Sequence, residues 1–487
     1  MPIPSNANLS YWIATSDAEG RPPLAGDSEA DLVVVGGGIT GLTVALLAAQ
    51  GGARVTLLEA RRLGTGTTGN TTAKVTTLHG LVYSELQDRL GLEAGRAYAE
   101  LNQLGLGTVR QLAGDHAIDC DLDEMDAVTY TEQSDRRAEV EREVEVAVSL
   151  GFPASYTETT SLPYPVAAAV RFTGQARFHP RRYALGLATA LEAAGGRIHE
   201  ETRVLDAGLD GDRCTVRTAR GMLRAGHVVV ATLLPVFDRM GLFARTVVSR
   251  SYALSADAPA TSISAMYLSV DNPTRSVRPH PDPNGTKLII TGEEHKTGHE
   301  PDPDGRFAAL DRYARERLGA EPDHRWSAQD YRTTDGLPFI GRLDPRSDRI
   351  LGATGLRKWG MTNGTAAGVL LADRVLGRVE HAELASTFDT TRVRPVAAAP
   401  TFVKANIDVA RRFSGDRLGG KPDLAEVLPG SGAVVRLHGR DVAAYREPGG
   451  AVHAVSARCT HLGCLVGWNG AERPATRRLR QVDIDDE

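Results

Sequence analysis

Three glycines, Gly36, Gly38 and Gly41, have the spacing G-x-G-x-x-G. The first such glycine permits a tight turn, the second lets the backbone approach a pyrophosphate, and the third lets a helix pack closely against a strand. The pattern follows a short apolar run and precedes the apolar-rich residues 40–50, a predicted helix whose first N–H groups would face the anion. Glu59 lies 18 residues after Gly41, where a carboxylate can bind ribose hydroxyls. The sequence therefore predicts a dinucleotide site.

A second match to the glycine pattern, residues 64–69, follows no strand and opens no helix. It therefore predicts a loop rather than a second dinucleotide site. Residues 60–83 around it are rich in Gly, Thr and Asn, which supply backbone and hydroxyl donors without bulk. Two interpretations remain open for this segment: a loop across which a cofactor lies, and a plain surface loop.

The elements that would position these residues follow from periodicity. Residues 84–112 and 132–150 have helical spacing, and Pro180 suits the first turn of another helix. The apolar run at 226–232 predicts a buried strand that completes the sheet begun before Gly36. Residues 236–325 alternate between apolar and polar, as antiparallel strands do.

The predicted fold is α/β, with a discontinuous Rossmann-like domain, a mixed β-sheet substrate domain that covers the cofactor, and a small, incomplete all-β domain. The predicted divisions are residues 1–80, 151–235 and 326–390 for the cofactor-binding domain, 81–150 and 236–325 for the substrate domain, 391–425 for a linker and helix, and 426–487 for the small all-β domain.

Length and composition narrow the class of protein. The chain has 487 residues, more than one hydrophobic core usually holds, and 41% hydrophobic with 24% charged residues is typical of a globular protein. A net charge of −5 without basic runs argues against nucleic acid or an anionic membrane as a partner. Four cysteines, no signal-like start and no apolar run of 18 residues predict a cytoplasmic protein.

Five segments together carry a family resemblance: VVVGGGITGL, the threonine–glycine loop, FHP before a helix, DGLPFIG, and ATGLRKWGMTNGTAAG. Over about residues 10–390 the chain resembles the D-amino acid oxidase-like flavoproteins, which include glycine and sarcosine oxidases. The resemblance implies FAD rather than NAD, and an FAD-dependent oxidoreductase, either an oxidase or a dehydrogenase of amines or amino acids.

The resemblance also implies which residues contact FAD, from the pyrophosphate and adenosine to the flavin ring. They are Gly36, Gly38, Ile39, Thr40, Gly41, Glu59, Ala60, Arg61, Thr67, Thr68, Thr72, Ala73, Lys74, Val204, Ala231, Thr232, Lys358, Gly360, Met361 and Thr362. Three of them have other interpretations: Val204 as core, Thr72 as a helix cap, and Lys358 as a surface lysine.

The implied reaction is oxidation of a small amine or amino acid by hydride transfer to flavin N5, with oxygen or an acceptor protein taking the electrons. A carboxylate-bearing substrate requires a cation, preferably a bidentate arginine. The candidates for substrate contacts are Arg332, Arg275, Arg278, Tyr252, His79 and His179. Each arginine could instead stabilise the fold, a structural role is favoured for His179, and no general base is assigned. The alternative function is an FAD-binding redox partner or structural module that turns over no small molecule.

Residues 459–464, with the sequence CTHLGC, resemble the first half of a Rieske [2Fe-2S] site, with Cys459 and His461 as its ligands. The resemblance places a second ligand pair near position 477, where the chain has Arg, Arg, Leu and Arg. We therefore expect that no cluster assembles. The final residues, ATRRLRQVDIDDE, are strongly charged, and a shifted reading frame is one hypothesis for their origin. Free thiols, or a zinc site shared between chains, are the alternatives for Cys459 and Cys464.

Overall fold

The computed structural model describes residues 9–259, 263–298, 302–394, 398, 422–437 and 439–457. Its α-helices are α1 Tyr11–Ala14, α2 Ile39–Gln50, α3 Val82–Leu90, α4 Leu92–Asp115, α5 Arg137–Ser149, α6 Pro180–Ala193, α7 Pro303–Leu318, α8 Gly360–Leu376 and α9 Ala382–Thr387. Its strands are β1 Ser28–Val35, β2 Val55–Leu58, β3 Lys74–Val75, β4 Asp123–Glu124, β5 Ala127–Thr131, β6 Ala154–Thr157, β7 Ala168–Phe172, β8 Ala176–Arg177, β9 Arg197–His199, β10 Val204–Asp210, β11 Arg213–Thr218, β12 Met222–Val230, β13 Thr246–Asp257, β14 Met266–Ser269, β15 Arg275–Asp282, β16 Gly285–Lys296, β17 Glu321–Thr333, β18 Phe339–Asp344, β19 Ser347–Thr354, β20 Gly432–Leu437, β21 Arg440–Arg446 and β22 Val452–Ser456.

The first sheet has β1 at its centre. Strand β1 pairs in parallel with β2 on one side and β12 on the other, with Val33 opposite Thr56 and Val228. The sheet continues to β9 beyond β2, and to β11, β10, β19 and β18 beyond β12. Because Val33 and Val34 are fully buried, β1 is covered on both faces, as its unbroken apolar sequence predicted.

Helices cover the first sheet, and α2 is the most enclosed of them. Ten of the twelve residues of α2 are buried, because it packs between α6 and α8 and against β1 and β2. Small residues permit this contact: a Cβ at Gly368 of α8 would lie 2.8 Å from the Thr43 side chain. The close packing fixes the first turns of α2 and α8 relative to each other.

The second sheet has the order β17-β13-β16-β15-β14-β5-β7-β6. It is mixed because β14 pairs with β5 in parallel, whereas the other pairings are antiparallel. Helix α7 covers one face, where its Phe307 and Leu310 share a buried cluster with Leu254 and Ile290. The opposite face carries the polar residues that alternate with these and looks toward the first sheet.

Three of the predicted boundaries differ from the structure. Residues 154–172, assigned above to the cofactor-binding domain, form β6 and β7 of the second sheet. Strand β17 also belongs to that sheet, although residues 326–333 were assigned to the first. The predicted helix 84–112 is two helices that meet at Gly91, whose φ is +85°. Periodicity indicates a strand or helix but does not identify its partner.

The described part of residues 426–487 contains one antiparallel sheet, β20-β21-β22. Val427, Val435 and Ala444 form its small buried cluster. Cys459 and His461, the expected cluster ligands, lie outside the described residues. None of the helices in the described ranges is both long and apolar enough to cross a bilayer.

Candidate cofactor and substrate site

The glycine turn connects β1 to α2 and requires glycine at two positions. Gly36 has φ +113°, and a Cβ there would lie 2.6 Å from the Ala231 carbonyl oxygen. A Cβ at Gly41 would lie 2.0 Å from the Gly36 carbonyl oxygen. Gly38 is the N-cap of α2 and provides no side-chain cap. The turn therefore brings the start of α2, with its N–H groups, directly behind the end of β1, where an anion is favoured.

A cavity of about 1180 Å³ begins at this turn and extends to the polar face of the second sheet. Most of the residues implied to contact FAD line it: Gly36, Gly38, Ile39, Thr40, Glu59, Ala60, Arg61, Thr67, Thr68, Thr72, Lys74, Val204, Ala231, Thr232, Lys358, Gly360 and Met361. Gly41, Ala73 and Thr362 do not line it; all three are buried.

Glu59, at the end of β2, fixes the backbone of the glycine turn. One carboxylate oxygen accepts the Gly37 N–H at 2.8 Å, and the other accepts the Arg61 N–H at 2.8 Å. Glu59 also lies on the cavity wall, and its contact with ribose stays a prediction. The spacing in the sequence did not reveal that Glu59 holds the glycine turn, because spacing carries no information about backbone partners.

Residues 64–72, the threonine loop, pack against the start of α2. They contain a short 3₁₀ helix, Thr67–Asn70, and the Thr68 hydroxyl accepts the Ile39 N–H at 3.1 Å. From outside, the Trp12 indole N–H donates to the Thr71 carbonyl at 2.7 Å, and the Arg278 Nε donates to the Thr72 carbonyl at 2.5 Å. The second glycine pattern therefore forms a loop on the cavity wall that hydrogen bonds from Trp12 and Arg278 fix in place.

Lys74, just after the threonine loop, is a buried cation on the cavity wall. Its Nζ donates to the Tyr267 carbonyl oxygen at 2.6 Å, and no ion pair joins it to another residue within the described ranges. Burial, with a smaller contribution from the Arg278 charge, lowers the pKa of Lys74 to about 7.

Residues 357–359 form a turn, called here the 357–359 turn, that precedes α8 and borders the cavity. Arg357 and Lys358 have left-handed backbone, with φ +61° and +69°. The Arg357 guanidinium lies 2.5 Å from a Glu85 carboxylate oxygen, and Trp359 stacks on His79 with ring centroids 4.2 Å apart. Tertiary contacts thus hold a backbone conformation that L-residues rarely adopt.

His79 lies under this turn and is neutral. One ring nitrogen is 2.7 Å from the Tyr98 hydroxyl, and the other is 2.7 Å from the Thr76 carbonyl oxygen. Burial lowers the pKa of His79 to about 3. Because both ring nitrogens have protein partners, His79 supports Trp359 rather than binding a proton from a ligand.

Four charged groups meet where the 357–359 turn reaches the second sheet. The Lys358 Nζ lies 2.7 Å from Glu294 and donates to the Ser251 hydroxyl at 2.8 Å. Glu294 also pairs with Arg332. Asp330 accepts the main-chain N–H of Lys358. Of these four residues, Lys358 and Arg332 were candidates from sequence. Asp330 and Glu294 were missed, because the sequence of a strand does not show which cations will lie opposite its carboxylates.

Arg278 and Tyr252, two other candidates for substrate contacts, do not line the cavity. Arg278 is fully buried, and its guanidinium also donates to the Phe178 carbonyl at 3.0 Å and lies 4.9 Å from the Trp12 ring centroid. Tyr252 faces α7, with its ring centroid 4.7 Å from that of Phe307, because successive strand residues face opposite sides and its neighbour Ser251 faces the cavity. Both placements correct the substrate contacts expected above.

Two further candidates from sequence have structural partners. The Arg275 guanidinium lies 2.5 Å from Glu293 and over the Tyr313 ring. His179 is the N-cap of α6, where its ring accepts the Arg182 N–H at 3.2 Å. The cap agrees with the structural role favoured for His179.

The cavity wall on the substrate side comes from five strands of the second sheet and the segment before α5. Its polar lining residues include Arg136, Arg250, Ser251, Ser269, Thr274, Ser276, Thr291, Glu294, Asp330 and Arg332. Arg136 and Arg250 were missed from sequence because they lie far from any motif. Within the described ranges, no group of three or more His, Cys, Asp or Glu is placed to hold a metal ion.

The family model described as FAD dependent oxidoreductase matches residues 31–374, which include the glycine turn, the 357–359 turn and both large sheets. The chain belongs to this family. The resemblance to D-amino acid oxidase-like flavoproteins is thereby confirmed, and the chain is an FAD-dependent oxidoreductase of the amino acid or amine oxidase type.

Relatives of this flavoprotein extend over different lengths of it. A protein of Bacillus subtilis (strain 168), provisionally named Rieske 2Fe-2S iron-sulfur protein YhfW, is 34% identical and covers 98% of each chain, consistent with a Rieske appendage. Gamma-glutamylputrescine oxidoreductase of Escherichia coli (strain K12) is 26% identical over 72% of this chain and 84% of its own. The structure of glycine oxidase from Geobacillus kaustophilus matches with TM-score 0.62 and 22% identity, covering 75% of this chain and 99% of its own, and so shares the fold.

Proposed function

We propose that the cavity binds FAD from the glycine turn to the 357–359 turn, and that a small amine or amino acid is oxidised between the flavin and the second sheet. One observation carries this proposal: a single cavity joins the first turns of α2 and α8 to the polar face of the second sheet. Its volume exceeds the roughly 300–1,000 Å³ typical of a pocket for one small ligand. Room for a cofactor and a substrate together is what the reaction requires.

The residues present fit FAD. The glycine turn leaves a backbone surface that a Cβ would fill, and the start of α2 favours the pyrophosphate charge. Glu59 and Val204 line the end of the cavity suited to adenosine, whereas Lys358, Gly360 and Met361 line the end suited to the flavin ring. The first turn of α8 would favour negative charge on the reduced ring.

When bound, FAD supplies a hydride acceptor, N5 of the ring. The protein then has to hold the donor carbon in place and exclude water. Arg332 is the residue that we propose for a substrate carboxylate, since it lines the cavity and its side chain is about half exposed. Leu268, Leu356 and Trp359 provide apolar surface around the same space.

The test is anaerobic reduction of the purified yellow protein. A panel of amines, amino acids and hydroxy acids is mixed with it under argon, and loss of the flavin absorbance with an amine or amino acid is the expected result. No loss with any compound would favour the alternative, an FAD-binding module without turnover. Subsequent admission of air distinguishes oxygen from an acceptor protein as the electron acceptor.

The role of Arg332 is tested with Arg332→Met. We expect a raised KM for substrates that carry a carboxylate and an unchanged KM for simple amines. Arg325→Met is the matched control, because Arg325 lies on the same strand but pairs with Asp311 of α7. Equal effects of Arg332→Met on both substrate classes would remove Arg332 from the site.

We also propose that the Rieske electron-transfer function is lost in this chain. The supporting observation is that residues 477–480, where the resemblance expects the second Cys/His pair, are Arg, Arg, Leu and Arg. A cluster needs four protein ligands, and Cys459 and His461 supply two. Iron and acid-labile sulfide analysis of the purified protein should find neither; about one cluster per chain would overturn the proposal.

A further inference from the structure

The acidic groups and the histidine on the cavity wall near the flavin end differ in whether they can accept a proton. His79 is neutral, with both ring nitrogens bonded to protein. Glu85 is held by Arg89 at 2.7 Å and by Arg357 at 2.5 Å. Although burial opposes it, the charges of Lys358 and Arg332 keep the pKa of Glu294 below its ordinary value. These three groups therefore do not accept a proton at neutral pH.

Asp330 is the exception. It is buried on β17 and lines the cavity, and its carboxyl group accepts the Lys358 main-chain N–H. The nearby Lys358 ammonium is directed to Glu294 and Ser251 instead of to Asp330. Burial raises the pKa of the Asp330 carboxyl to about 6, and the backbone N–H groups and the charges of Lys358 and Arg332 oppose this rise only in part.

The location of Asp330 brings it close to the proposed reacting carbon. It belongs to the second sheet, which forms the substrate side, yet its hydrogen bond reaches the turn that leads into Gly360 and Met361. Asp330 is thus bonded across the boundary between the substrate wall and the flavin end of the cavity. Glu294 and Asp330 form a pair of carboxyl groups whose surroundings separate their pKa values, an arrangement that commonly divides acid–base roles.

We propose that Asp330 is a catalytic residue that binds the substrate ammonium group and removes one proton from it. This inference rests on the proposed function. The N–H bond of the ammonium breaks, a new O–H bond forms on the Asp330 carboxylate, and the nitrogen keeps the electron pair as a neutral amine. The proton leaves Asp330 for solvent once the product departs. Amines are mostly protonated at neutral pH, so this step provides the neutral form needed for oxidation.

The first experiment compares pH profiles of kcat/KM for the wild type and Asp330→Asn, with an amine that reduces the flavin. The Asn oxygen can still accept the Lys358 N–H, so the turn should keep its geometry. The wild type should lose activity as the pH falls through about 6, where Asp330 becomes protonated. In Asp330→Asn the inflection near pH 6 should vanish, and kcat/KM should instead rise with pH up to the pKa of the free amine, because only the neutral amine reacts. At neutral pH kcat/KM should fall by about 10²–10⁴-fold relative to the wild type.

Two variants make the pH profile specific. Asp311→Asn changes another carboxyl whose pKa is raised by burial, on α7 at the far face of the sheet, and should leave the acid limb in place. Lys74→Met removes the other group on the cavity wall with a pKa near neutral. An inflection near pH 6–7 that survives in Asp330→Asn but vanishes in Lys74→Met would assign the proton to Lys74 and overturn the proposal.

The second experiment needs no turnover and therefore separates this inference from the proposed function. Methylammonium binding to the FAD-loaded protein is measured by calorimetry below pH 6, in two buffers with different heats of ionisation. The wild type should release a proton from Asp330 on binding, and Asp330→Asn should bind more weakly and release none. Absence of binding by the wild type, or equal proton release by both proteins, overturns the role of Asp330 even if the flavin is reduced by amines.

Discussion

Lys74 and Glu59 are single residues whose surroundings set measurable properties of the cavity. Lys74 is a buried cation whose Nζ is hydrogen-bonded to a carbonyl oxygen. Its burial costs free energy in the folded protein, and this cost depends on pH. Glu59 is a carboxylate whose two oxygens hold backbone N–H groups, so that its effect is on the shape of the glycine turn.

Lys74→Met should stabilise the protein without FAD, and more so at pH 7 than at pH 10. The folded-state pKa of Lys74 is lowered from 10.5 to about 7, so between these values the unfolded chain binds more protons and wild-type stability rises with pH. The gain should reach at most about 5 kcal/mol at pH 7 and below. Chemical denaturation at several pH values measures it. Lys287→Met is the control with the opposite sign, because Asp257 and Asp323 raise the pKa of Lys287 against the effect of burial. A gain that does not depend on pH would contradict the assignment.

Glu59→Gln should weaken FAD binding by about tenfold, because the amide can accept only one of the two N–H groups and hydrogen bonds to charged groups contribute roughly 1.5–3 kcal/mol. Titration of the apoprotein with FAD gives the affinity. In the matched control Asp238→Asn the altered carboxylate accepts the N–H groups of Met240 and Phe243, and none of these three residues lines the cavity. This control should lower the free energy of unfolding but leave FAD affinity unchanged. If FAD binds Glu59→Gln as tightly as the wild type, Glu59 does not organise the turn.

The residues that could be predicted from sequence are those with a fixed position relative to a local motif. Gly36, Gly38 and Glu59 follow a spacing that reflects one strand–turn–helix unit. Asp330 and Glu294 could not be found in this way, because the pKa of Asp330 is set mainly by burial and that of Glu294 by the charges of Lys358 and Arg332. These surroundings form only where separate segments of the chain meet. Tyr252 was placed on the wrong side of its strand because the sequence did not show which face α7 would cover.

At the scale of elements, the contact between α4 and α8 determines where the first turn of α8 lies. Gly105 of α4 is against α8: a Cβ there would lie 2.2 Å from the Thr362 carbonyl oxygen. Gly107, two residues later, is exposed and has nothing within 4 Å of its Cβ position. The two glycines thus lie on one helix with opposite surroundings.

Gly105→Ala should destabilise the protein by about 1–3 kcal/mol and weaken FAD binding, because α4 and α8 must separate and Gly360 and Met361 move with α8. Gly107→Ala should stabilise it by about 0.5–1 kcal/mol, since alanine is favoured over glycine in a helix. Chemical denaturation and FAD titration of both variants provide the comparison. A loss of stability in Gly105→Ala without a change in FAD affinity would show that the first turn of α8 does not contact the cofactor.

The elements were predicted better than their pairings. Strand β1, helix α2 and helix α6 were expected near their observed bounds because each has a strong local pattern. Strands β6 and β7 and residues 326–333 of β17 were assigned to the wrong sheet, because sheet partners depend on contacts between distant segments. The break between α3 and α4 was missed, although Gly91 marks it, since a glycine inside a helical pattern does not by itself end a helix.

At the scale of the whole molecule, both large sheets contribute to one cavity. The described residues that line it extend no further along the chain than Met361, and the family match ends at residue 374. The segment just after α9 nevertheless packs against the part of the chain that forms the cavity. Arg392 lies 2.8 Å from the buried Asp335 carboxylate and donates to the carbonyl oxygens of Pro338 and Phe388.

A chain cut after residue 394 should bind FAD with the affinity of the full chain, whereas a chain cut after residue 391 should not. The chain that ends at residue 391 lacks Arg392, so Asp335 stays buried without its cation. Such a loss typically lowers the free energy of unfolding by about 3–5 kcal/mol. Arg392→Met in the full chain is the matched control and should lose as much stability as the chain that ends at residue 391. FAD titration and chemical denaturation of the three proteins measure both effects. Weak FAD binding by the chain that ends at residue 394 would mean that residues beyond 394 form part of the cofactor site.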